Sequence, residues 1–335
     1  MEITLDHFEV DLEHVRDYPG LQIIPVINHD SQQTSVEKIL WEGFQDESIK
    51  IEELDSSSVP TVQLTNTTDE LYLGYRGAII RGGGQNRQLL HSVVIPGKRS
   101  LSIPVQCIQS GRWNPHQEKI FTHKASDITS SSLRYKRYSQ TETWSKISET
   151  TRMSGTSSTT QDYTVMHDFM FGSEQEASIA AESMTVYREN DFKRRKASRQ
   201  RAQKILKELL PLENQVGVYI RLIEPSMCAK KKYELTECLE IFSCPTVYRK
   251  IHEVVLSSFV ADASILPEDD PQLVIPAVTQ QHFSEFMDMI DKASWKEQPS
   301  IGQEKRQEIR QDKKLFGESI FQEKELVHLM CSLEG

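Results

Sequence analysis

The chain has 335 residues, a net charge of −10 and apolar side chains at 37% of its positions, which is enough for a globular core. The acidic balance argues against a general affinity for nucleic acid or anionic membranes, and no apolar stretch approaches the ~20 residues that span a bilayer. At roughly 150 residues per domain, the length predicts one or two domains. We expect a single domain over residues 1–335, because neither an internal repeat nor a clear linker divides the sequence.

The N-terminal sequence and the number of cysteines predict a cytoplasmic protein. The chain opens Met1-Glu2-Ile3 without the basic region and apolar run of a signal peptide. Its five cysteines form no Cys-x-x-Cys pair, and an odd number fits reduced thiols better than a disulfide framework.

The first third of the sequence favours strands. The apolar run from Leu21 to Ile27 predicts a strand, and a helix should follow from a capping box formed by Thr34 and Glu37. Residues 49–109 then alternate short apolar runs with Gly, Pro and Asn turns, which is typical of an antiparallel sheet. The strands expected there are 49–51, 62–65, 71–73, 78–80, 89–95 and 101–108.

Residues 114–165 are rich in serine and threonine. We predict an irregular insertion with one short helix, because Ser139 and Glu142 form a capping box and Trp144 and Ile147 are three residues apart on one face. The alternative is a flexible linker.

The second half mixes helices and strands. Residues 173–210 predict one long helix or two, with Ser173 and Glu176 capping the start. The remaining expected elements are strands at 215–223, 238–242, 317–321 and 326–330 and helices at 248–259 and 279–296. These elements together predict the α+β class, with antiparallel sheets and packed helices.

The segment from Arg81 to Arg87 is the most distinctive candidate for binding. Its three glycines, 82–84, allow positive φ and can turn backbone N–H groups towards an anion, while Arg87 offers a guanidinium to phosphate or carboxylate. Gln85 and Asn86 carry amides that can read a base or ribose edge. The alternative is a glycine-rich hairpin turn whose arginine pairs with a nearby carboxylate.

Arg112 and Trp113 follow the next strand. An arginine beside a tryptophan at a strand end can hold the charge of a planar ligand and stack on its ring. The alternative is that Trp113 plugs the edge of the core.

Residues 193–207 carry eight lysines and arginines and no acid. A nucleic-acid-binding face would also carry aromatic side chains among the basic ones, and this segment has few of them. We therefore expect a solvated helix face, or one that docks on the acidic N-terminal region.

The sequence lacks the familiar motifs for metals and nucleophiles. Its histidines, among them His116, His123 and His167, form no His-x-His or His-x-x-x-His pair, so we predict neither a metal nor a cofactor. No Gly-x-Ser-x-Gly elbow occurs, and Cys107 lies in a strand pattern that suits a small buried apolar residue.

The order of the motifs resembles the ARG-and-rhodanese-phosphatase-superfamily-associated domain family. The matching stretches span nearly the whole chain and are Gly77–Arg87, Pro104–Cys107 with Gly111–Trp113, Gln140–Trp144 with Ser157–Thr159, Gln215–Val218 with Glu240–Phe242, and Leu326–Leu329. The resemblance implies a single α+β domain in the family's own fold. Members accompany ADP-ribosylglycohydrolase and rhodanese-phosphatase domains, often in prokaryotic conflict or defence settings. The association with these domains implies that the family binds or acts on ADP-ribose-like or other nucleotide-derived molecules.

The chain departs from the family's pattern at two positions. The family tends to carry Glu after the glycine matched by Gly77 and again after the cysteine-containing strand, where this chain has Ala78 and Gln109. If those acids perform acid–base chemistry, an amide keeps the shape and removes the base. Binding without turnover is then expected.

Three functions stay open. The first is a binding or sensing module for a nucleotide-derived anion, and its expected ligand-binding residues are Gln85, Asn86, Arg87, Arg112, Trp113, Gln140, Trp144, Ser157 and Thr159. The second is a hydrolase of such a ligand, for which Asp162 and Asp168 are the candidate carboxylates. The third is a non-catalytic protein-interaction scaffold in which the same polar residues form a buried hydrogen-bond network. The expected partner is a nucleotide-like small molecule, with a protein partner as the alternative and no membrane.

Overall fold

The computed structural model describes residues 5, 7–29, 34–54, 60–111, 119–136, 138–186, 190–225, 232–312 and 314–334. The strands within them are β1 (Glu9–Val10), β2 (Arg16–Tyr18), β3 (Leu21–Ile27), β4 (Lys38–Ile39), β5 (Ile49–Glu53), β6 (Thr61–Asn66), β7 (Tyr72–Gly74), β8 (Ile79–Gly82), β9 (Arg87–Leu89), β10 (Val93–Ile95), β11 (Ser100–Cys107), β12 (Ile120–Thr122), β13 (Gln215–Pro225), β14 (Tyr233–Phe242), β15 (Lys296–Gln298), β16 (Lys305–Gln311), β17 (Leu315–Gln322) and β18 (Glu325–Glu334). The α-helices are α1 (Leu40–Gln45), α2 (Ser131–Arg134), α3 (Gln140–Ser154), α4 (Tyr163–Phe171), α5 (Glu174–Glu182), α6 (Asp191–Glu208), α7 (Pro245–Ser264) and α8 (Gln280–Asp291).

The chain divides into two compact units that interleave in the sequence. One, here called the sheet unit, comprises Met1–Glu37, Leu210–His252 and Pro267–Gly335. The other, here called the barrel unit, comprises Lys38–Leu209 and Glu253–Leu266.

The sheet unit is built on an antiparallel sheet with the strand order β1-β3-β13-β14-β18-β17-β16-β15, and β2 also pairs with β3. Helix α8 covers part of this sheet, because Phe283, Phe286 and Ile290 recur at helical spacing and lie in one core cluster with Tyr219 and Leu329. Its capping residue, Thr279, accepts a hydrogen bond from the N–H of His282.

The barrel unit contains a closed barrel with the strand order β11-β6-β5-β12-β8-β9 and a three-stranded sheet in the order β10-β7-β4. Strand β6 alternates half-buried with fully buried residues, as one face of a barrel wall requires. Helices α3, α4, α5 and α6 contact one another in this unit. The α+β class with mainly antiparallel sheets is therefore confirmed, and β4 with β7 is a parallel pair within it.

Two boundaries in the first third of the chain differ from the prediction. The helix expected from Thr34 begins only at Leu40, and strand β4 occupies part of the predicted helix. Thr34 accepts from the N–H of Val36 instead of capping a helix, while Glu42 accepts from the N–H of Ile39. The single strand predicted for residues 89–95 is interrupted, and its ends belong to β9 and β10.

The serine- and threonine-rich segment is more regular than predicted. Within residues 114–165, the described part contains β12, α2, all of α3 and the start of α4. The capping box is confirmed. The N–H of Ser139 donates to Glu142 Oε2 at 2.7 Å, and the hydroxyl of Ser139 accepts from the N–H of Glu142 at 3.3 Å. Helix α3 is fifteen residues long, and Ile147, Thr151 and Ser154 form its buried face. Two of these three residues are polar, so the hydrophobic pattern of the sequence does not reveal that face.

The basic segment is not simply a solvated face. It lies in α6, where Arg195, Arg199 and Arg201 are buried. Arg199 donates to the carbonyls of Phe169 and, at 3.2 Å, Gly172, at the end of α4. Arginines at this spacing therefore bind the ends of neighbouring elements, and the lysines remain on the exposed side.

Among the residues that the structure describes, no helix has the length and apolar character that crossing a membrane requires.

Candidate functional site

The glycine loop between β8 and β9 holds an internal carboxylate. Gly82 and Gly83 have φ values of +117° and +51°, as the sequence predicts for this turn. The N–H of Gly84 donates to Glu53 Oε1 at 3.0 Å. A Cβ on Gly83 would lie 2.7 Å from the same oxygen and 2.4 Å from the ring of Phe121, so a larger residue would displace both. The anion held by this loop is the protein's own Glu53.

Arg87 lies inside the barrel wall and pairs with that carboxylate. It is fully buried, and its Nη2 donates to Glu53 Oε1 at 2.6 Å. The guanidinium also lies 5.3 Å from the ring centroid of Phe121. Its cross-strand neighbour is Cys107, and burial raises the pKa of that thiol while Arg87 opposes the shift. This geometry favours the hairpin turn with a paired arginine, although a ligand-binding role for Arg87 stays a prediction.

The two residues beside Arg87 are also buried, and the side chain of Asn86 is held internally. Gln85 and Asn86 are buried, and Asn86 Nδ2 donates to Asp162 Oδ2 at 2.9 Å. Gln109, where the family tends to carry Glu, accepts from the N–H of Asn86 at 3.3 Å. Burial raises the pKa of Asp162, although hydrogen bonds from Thr164 and Asn86 lower it in part.

Helix α3 contributes Gln140 and Trp144. The side-chain amide of Gln140 pairs with the backbone of Cys107, accepting from its N–H at 3.1 Å and donating to its carbonyl at 2.7 Å. Gln140 thus ties the first turn of α3 to β11. Trp144 is half-buried, and its Nε1 has no hydrogen-bond partner in the described part of the chain.

Arg112 and Trp113 lie outside the described residues. Gly111, the residue before them, is held by a hydrogen bond from its N–H to the carbonyl of Thr160 at 2.9 Å.

A polar pocket in the barrel unit contains two other predicted residues, Ser157 and Thr159. Its cavity volume is about 400 Å³, within the usual range for small-molecule sites. Hydroxyl groups and two arginines dominate the wall. The lining residues are Ser148, Thr151, Arg152, Gly155, Ser157, Ser158, Thr159, Gln161, Asp191 and Arg194.

Local geometry builds this pocket where α3 ends and α6 begins. Gly155 ends α3 with φ of +74°, and a Cβ there would lie 2.5 Å from the carbonyl oxygen of Asp191. Asp191 begins α6 and accepts a hydrogen bond from Arg194. The connecting loop is held against residues 184 and 185, since the carbonyl of Ser157 accepts from the N–H of Thr185 at 2.8 Å and Ser158 is bridged to Met184. The pocket wall is therefore preformed.

A second polar cluster surrounds Arg81. Its guanidinium binds both oxygens of Asp127 at 2.7 and 2.5 Å and both oxygens of Asp168 at 2.8 and 2.7 Å. Burial disfavours each of these charges, but the two carboxylates raise the pKa of Arg81 above its usual range. Arg81 in turn holds the pKa of Asp127 below its ordinary value, and His167 and Arg81 together do the same for Asp168.

His167 faces this cluster from α4. Its Nδ1 lies 3.7 Å from Asp168 Oδ1 and 4.0 Å from Asp127 Oδ1. One atom from each of the three residues lies within 4.8 Å of the others, which is a spacing that suits a metal ion.

Sequence reasoning missed the residues that complete these two places. Arg152 and Asp191 lie in no motif, and Arg194 was only one of eight charges in the basic run. Asp127 and Glu53 gave no local signal, because their partners lie 46 and 34 residues away in the chain.

A comparison with known families matches residues 9–332 to the family described as the ARG and Rhodanese-Phosphatase-superfamily-associated Protein domain. Neither a curated protein nor a solved structure matches the chain.

Proposed function

Since the chain belongs to the family of ARG and rhodanese-phosphatase-superfamily-associated protein domains, we propose that it is a binding or sensing module for a nucleotide-derived anion, with ADP-ribose as the leading example. The observation that carries this proposal is the preformed pocket of about 400 Å³ that Arg152, Arg194, Ser157 and Thr159 line.

The chemistry of the pocket suits a phosphorylated sugar. The guanidinium groups of Arg152 and Arg194 match the geometry of phosphate oxygens. Asp191 and the hydroxyls of Ser157 and Thr159 supply acceptors and donors for ribose hydroxyls. Of the predicted ligand-binding set, Ser157 and Thr159 therefore keep this role in the proposal, and Arg152 and Arg194 take the place first given to Arg87.

The geometry supports binding over hydrolysis. Asp162 accepts hydrogen bonds from Asn86 and from the N–H and hydroxyl of Thr164, and both oxygens of Asp168 accept from Arg81. Neither candidate carboxylate lines the pocket. A general base must reach the proton that it removes, so we do not assign a reaction.

We place this module in the cytoplasm, in a prokaryotic conflict or defence setting. The four cysteines within the described residues are free and buried, which suits a reducing compartment. The defence setting rests on the company that the family keeps.

Isothermal titration of the purified protein with ADP-ribose, NAD and a panel of linear and cyclic nucleotides tests the proposal. We expect saturable heat from one ligand and no new product in the mixture. Replacing Arg152 or Arg194 by Gln should weaken binding at least about tenfold, since a hydrogen bond to a charged group contributes about 1.5–3 kcal/mol. The matched control is Arg310→Gln, a half-exposed arginine of the sheet unit that lies outside the pocket.

Two outcomes contradict the binding module. Consumption of the ligand would assign a hydrolase, and no heat with any ligand would leave a protein-interaction scaffold. Equal loss of affinity in Arg310→Gln would show that net charge, and not the pocket, attracts the anion.

A further inference from the structure

The polar pocket of the barrel unit has no aromatic side chain among its described lining residues. Its wall is made of serine and threonine hydroxyls, one amide, one carboxylate and two guanidinium groups. Trp144, which the sequence predicts as a ligand-binding residue, does not line it, and Trp113 lies outside the described residues. Proteins usually hold a nucleobase by stacking it on an aromatic ring or a guanidinium plane. The described wall offers a base no ring on which to stack.

Gln161 is oriented as a hydrogen-bond donor at the rim of this pocket. Its backbone has a φ of +45°, a left-handed conformation that is uncommon in residues other than glycine. Strained backbone of this kind occurs often at ligand-binding sites. The Oε1 of Gln161 accepts from the hydroxyl of Ser110 at 2.7 Å, so the NH₂ group of the same amide is left to donate to a ligand.

The charged side chains of the pocket leave a positive excess for a ligand. Two arginines stand against one aspartate in the described lining. Arg194 donates to Asp191 through Nη2, so these two charges compensate each other, while Nη1 remains for a ligand. Arg152 is exposed and has no ion pair within the part of the chain that the structure describes. An anion rich in acceptor oxygens therefore suits the pocket better than a neutral ring.

Resting on the binding function proposed above, we infer that the pocket holds the sugar phosphate portion of its ligand and leaves the base outside. Phosphate oxygens accept from Arg152, Arg194 and Gln161, while the carboxylate of Asp191 accepts from sugar hydroxyls. The cavity volume of about 400 Å³ is near the lower end of the usual range of about 300–1,000 Å³, which suits a small portion of a ligand. The ligand class is a ribose phosphate, which includes the terminal ribose phosphate of ADP-ribose.

Isothermal titration of the full chain with ribose 5-phosphate, AMP, adenosine and inorganic phosphate tests this inference. Ribose 5-phosphate and AMP carry the same phosphate group and differ in the base, and a stacked base would strengthen AMP by about fivefold to 100-fold. We expect the two affinities to agree within about threefold, because no base is stacked. Adenosine should give no saturable heat. Inorganic phosphate should bind at least about tenfold more weakly than ribose 5-phosphate, because it has no sugar hydroxyl for Asp191.

The variant Gln161→Glu tests the phosphate end of the pocket. It keeps the shape of the side chain and an acceptor for Ser110, but it replaces the donating amide by a negatively charged oxygen. Affinity for ribose 5-phosphate should fall at least about tenfold, since a donor is lost and like charges meet. The matched control is Gln175→Glu, which adds the same charge at an exposed position of α5 outside the pocket and should keep the wild-type affinity.

Several results would overturn this inference and leave the proposed function standing. They are binding of AMP at least about tenfold tighter than that of ribose 5-phosphate, saturable binding of adenosine, and inorganic phosphate that binds as tightly as ribose 5-phosphate. An equal loss of affinity in Gln161→Glu and Gln175→Glu is another, and so is heat from ADP-ribose or NAD with none from ribose 5-phosphate. No heat from any of these ligands would overturn the proposed function as well. The titrations of the unaltered protein decide the question even if Gln161→Glu does not fold.

Discussion

At the scale of single residues, arginines in the barrel unit bind groups of the protein itself. Arg87 pairs with Glu53, and Arg81 joins Asp127 to Asp168. Arg134 is buried as well and donates to the carbonyl of Arg76 at 3.0 Å. A buried guanidinium needs such partners, because its charge is costly to remove from water. An arginine in a distinctive motif is therefore weak evidence for a ligand until its burial is known.

Arg87→Ala should lower the free energy of unfolding by about 3–5 kcal/mol, because it leaves the carboxylate of Glu53 without its buried partner. Urea denaturation monitored by circular dichroism measures this change. The control is Lys98→Ala, which breaks an exposed contact of 3.9 Å with Asp69 and should change stability by less than about 1 kcal/mol. A small stability loss in Arg87→Ala together with lost ligand affinity would restore Arg87 to the binding site.

Acid should destabilise the protein through the Arg81 cluster. Folding holds the pKa values of Asp127 and Asp168 below those of the unfolded chain, about 3.9. Since depressed carboxyl pKa values stabilise the charged folded state, this stabilisation is complete above about pH 5 and declines as the pH falls below about 4. Urea titrations at stepped pH measure it. Arg81→Gln should be less stable at neutral pH and show a shallower decline in acid, and an unchanged acid slope would contradict this origin.

At the scale of elements, contacts at the helix ends explain why polar and basic segments form helices in this protein. Ser139 with Glu142 and Ser173 with Glu176 cap α3 and α5, as their spacing predicts. The basic segment of α6 stabilises the C-terminal end of α4, since Arg199 donates hydrogen bonds to carbonyls there. Carbonyls in the last turn of a helix have no partner within it, so a neighbouring cation stabilises them.

Arg199→Ala should destabilise the protein by about 2–4 kcal/mol, because it removes charged hydrogen bonds to the carbonyls of Phe169 and Gly172. Lys204→Ala is the matched control, since Lys204 is exposed on the same helix and its loss should change stability by less than about 0.5 kcal/mol. Chemical denaturation of the two variants compares them. Equal effects would mean that α6 acts only as a charged surface.

At the scale of the whole molecule, two compact units share one chain whose ends both belong to the sheet unit. Each unit has its own sheet and its own buried residues. Cysteines occur in both, and Cys107, Cys238, Cys244 and Cys331 are all free and buried. Their accessibility therefore reports on unfolding of either unit.

The native protein should react with at most one equivalent of a thiol reagent, at Cys228, which lies outside the described residues. In urea all five cysteines should react. Burial excludes the reagent and, for Cys107 and Cys331, raises the thiol pKa, so little reactive thiolate forms. Reagent absorbance counts the thiols, and peptide mass analysis assigns them. Rapid labelling of Cys331 in the native state would contradict this burial.

The sequence by itself determined the α+β class, most strand positions, the N-terminal caps of α3 and α5 and the positive φ of the glycine turn, because these depend on local periodicity and backbone preference. The tertiary structure decided which charges meet. Arg87 pairs with Glu53, 34 residues away in the sequence, and Arg81 pairs with Asp168, 87 residues away. These pairs form only because the barrel closes and α4 packs near it. It also brought Arg152 and Arg194 to one pocket from two helices. No local pattern encodes such pairs, since their contact depends on strand order and helix packing that a stretch of sequence does not specify.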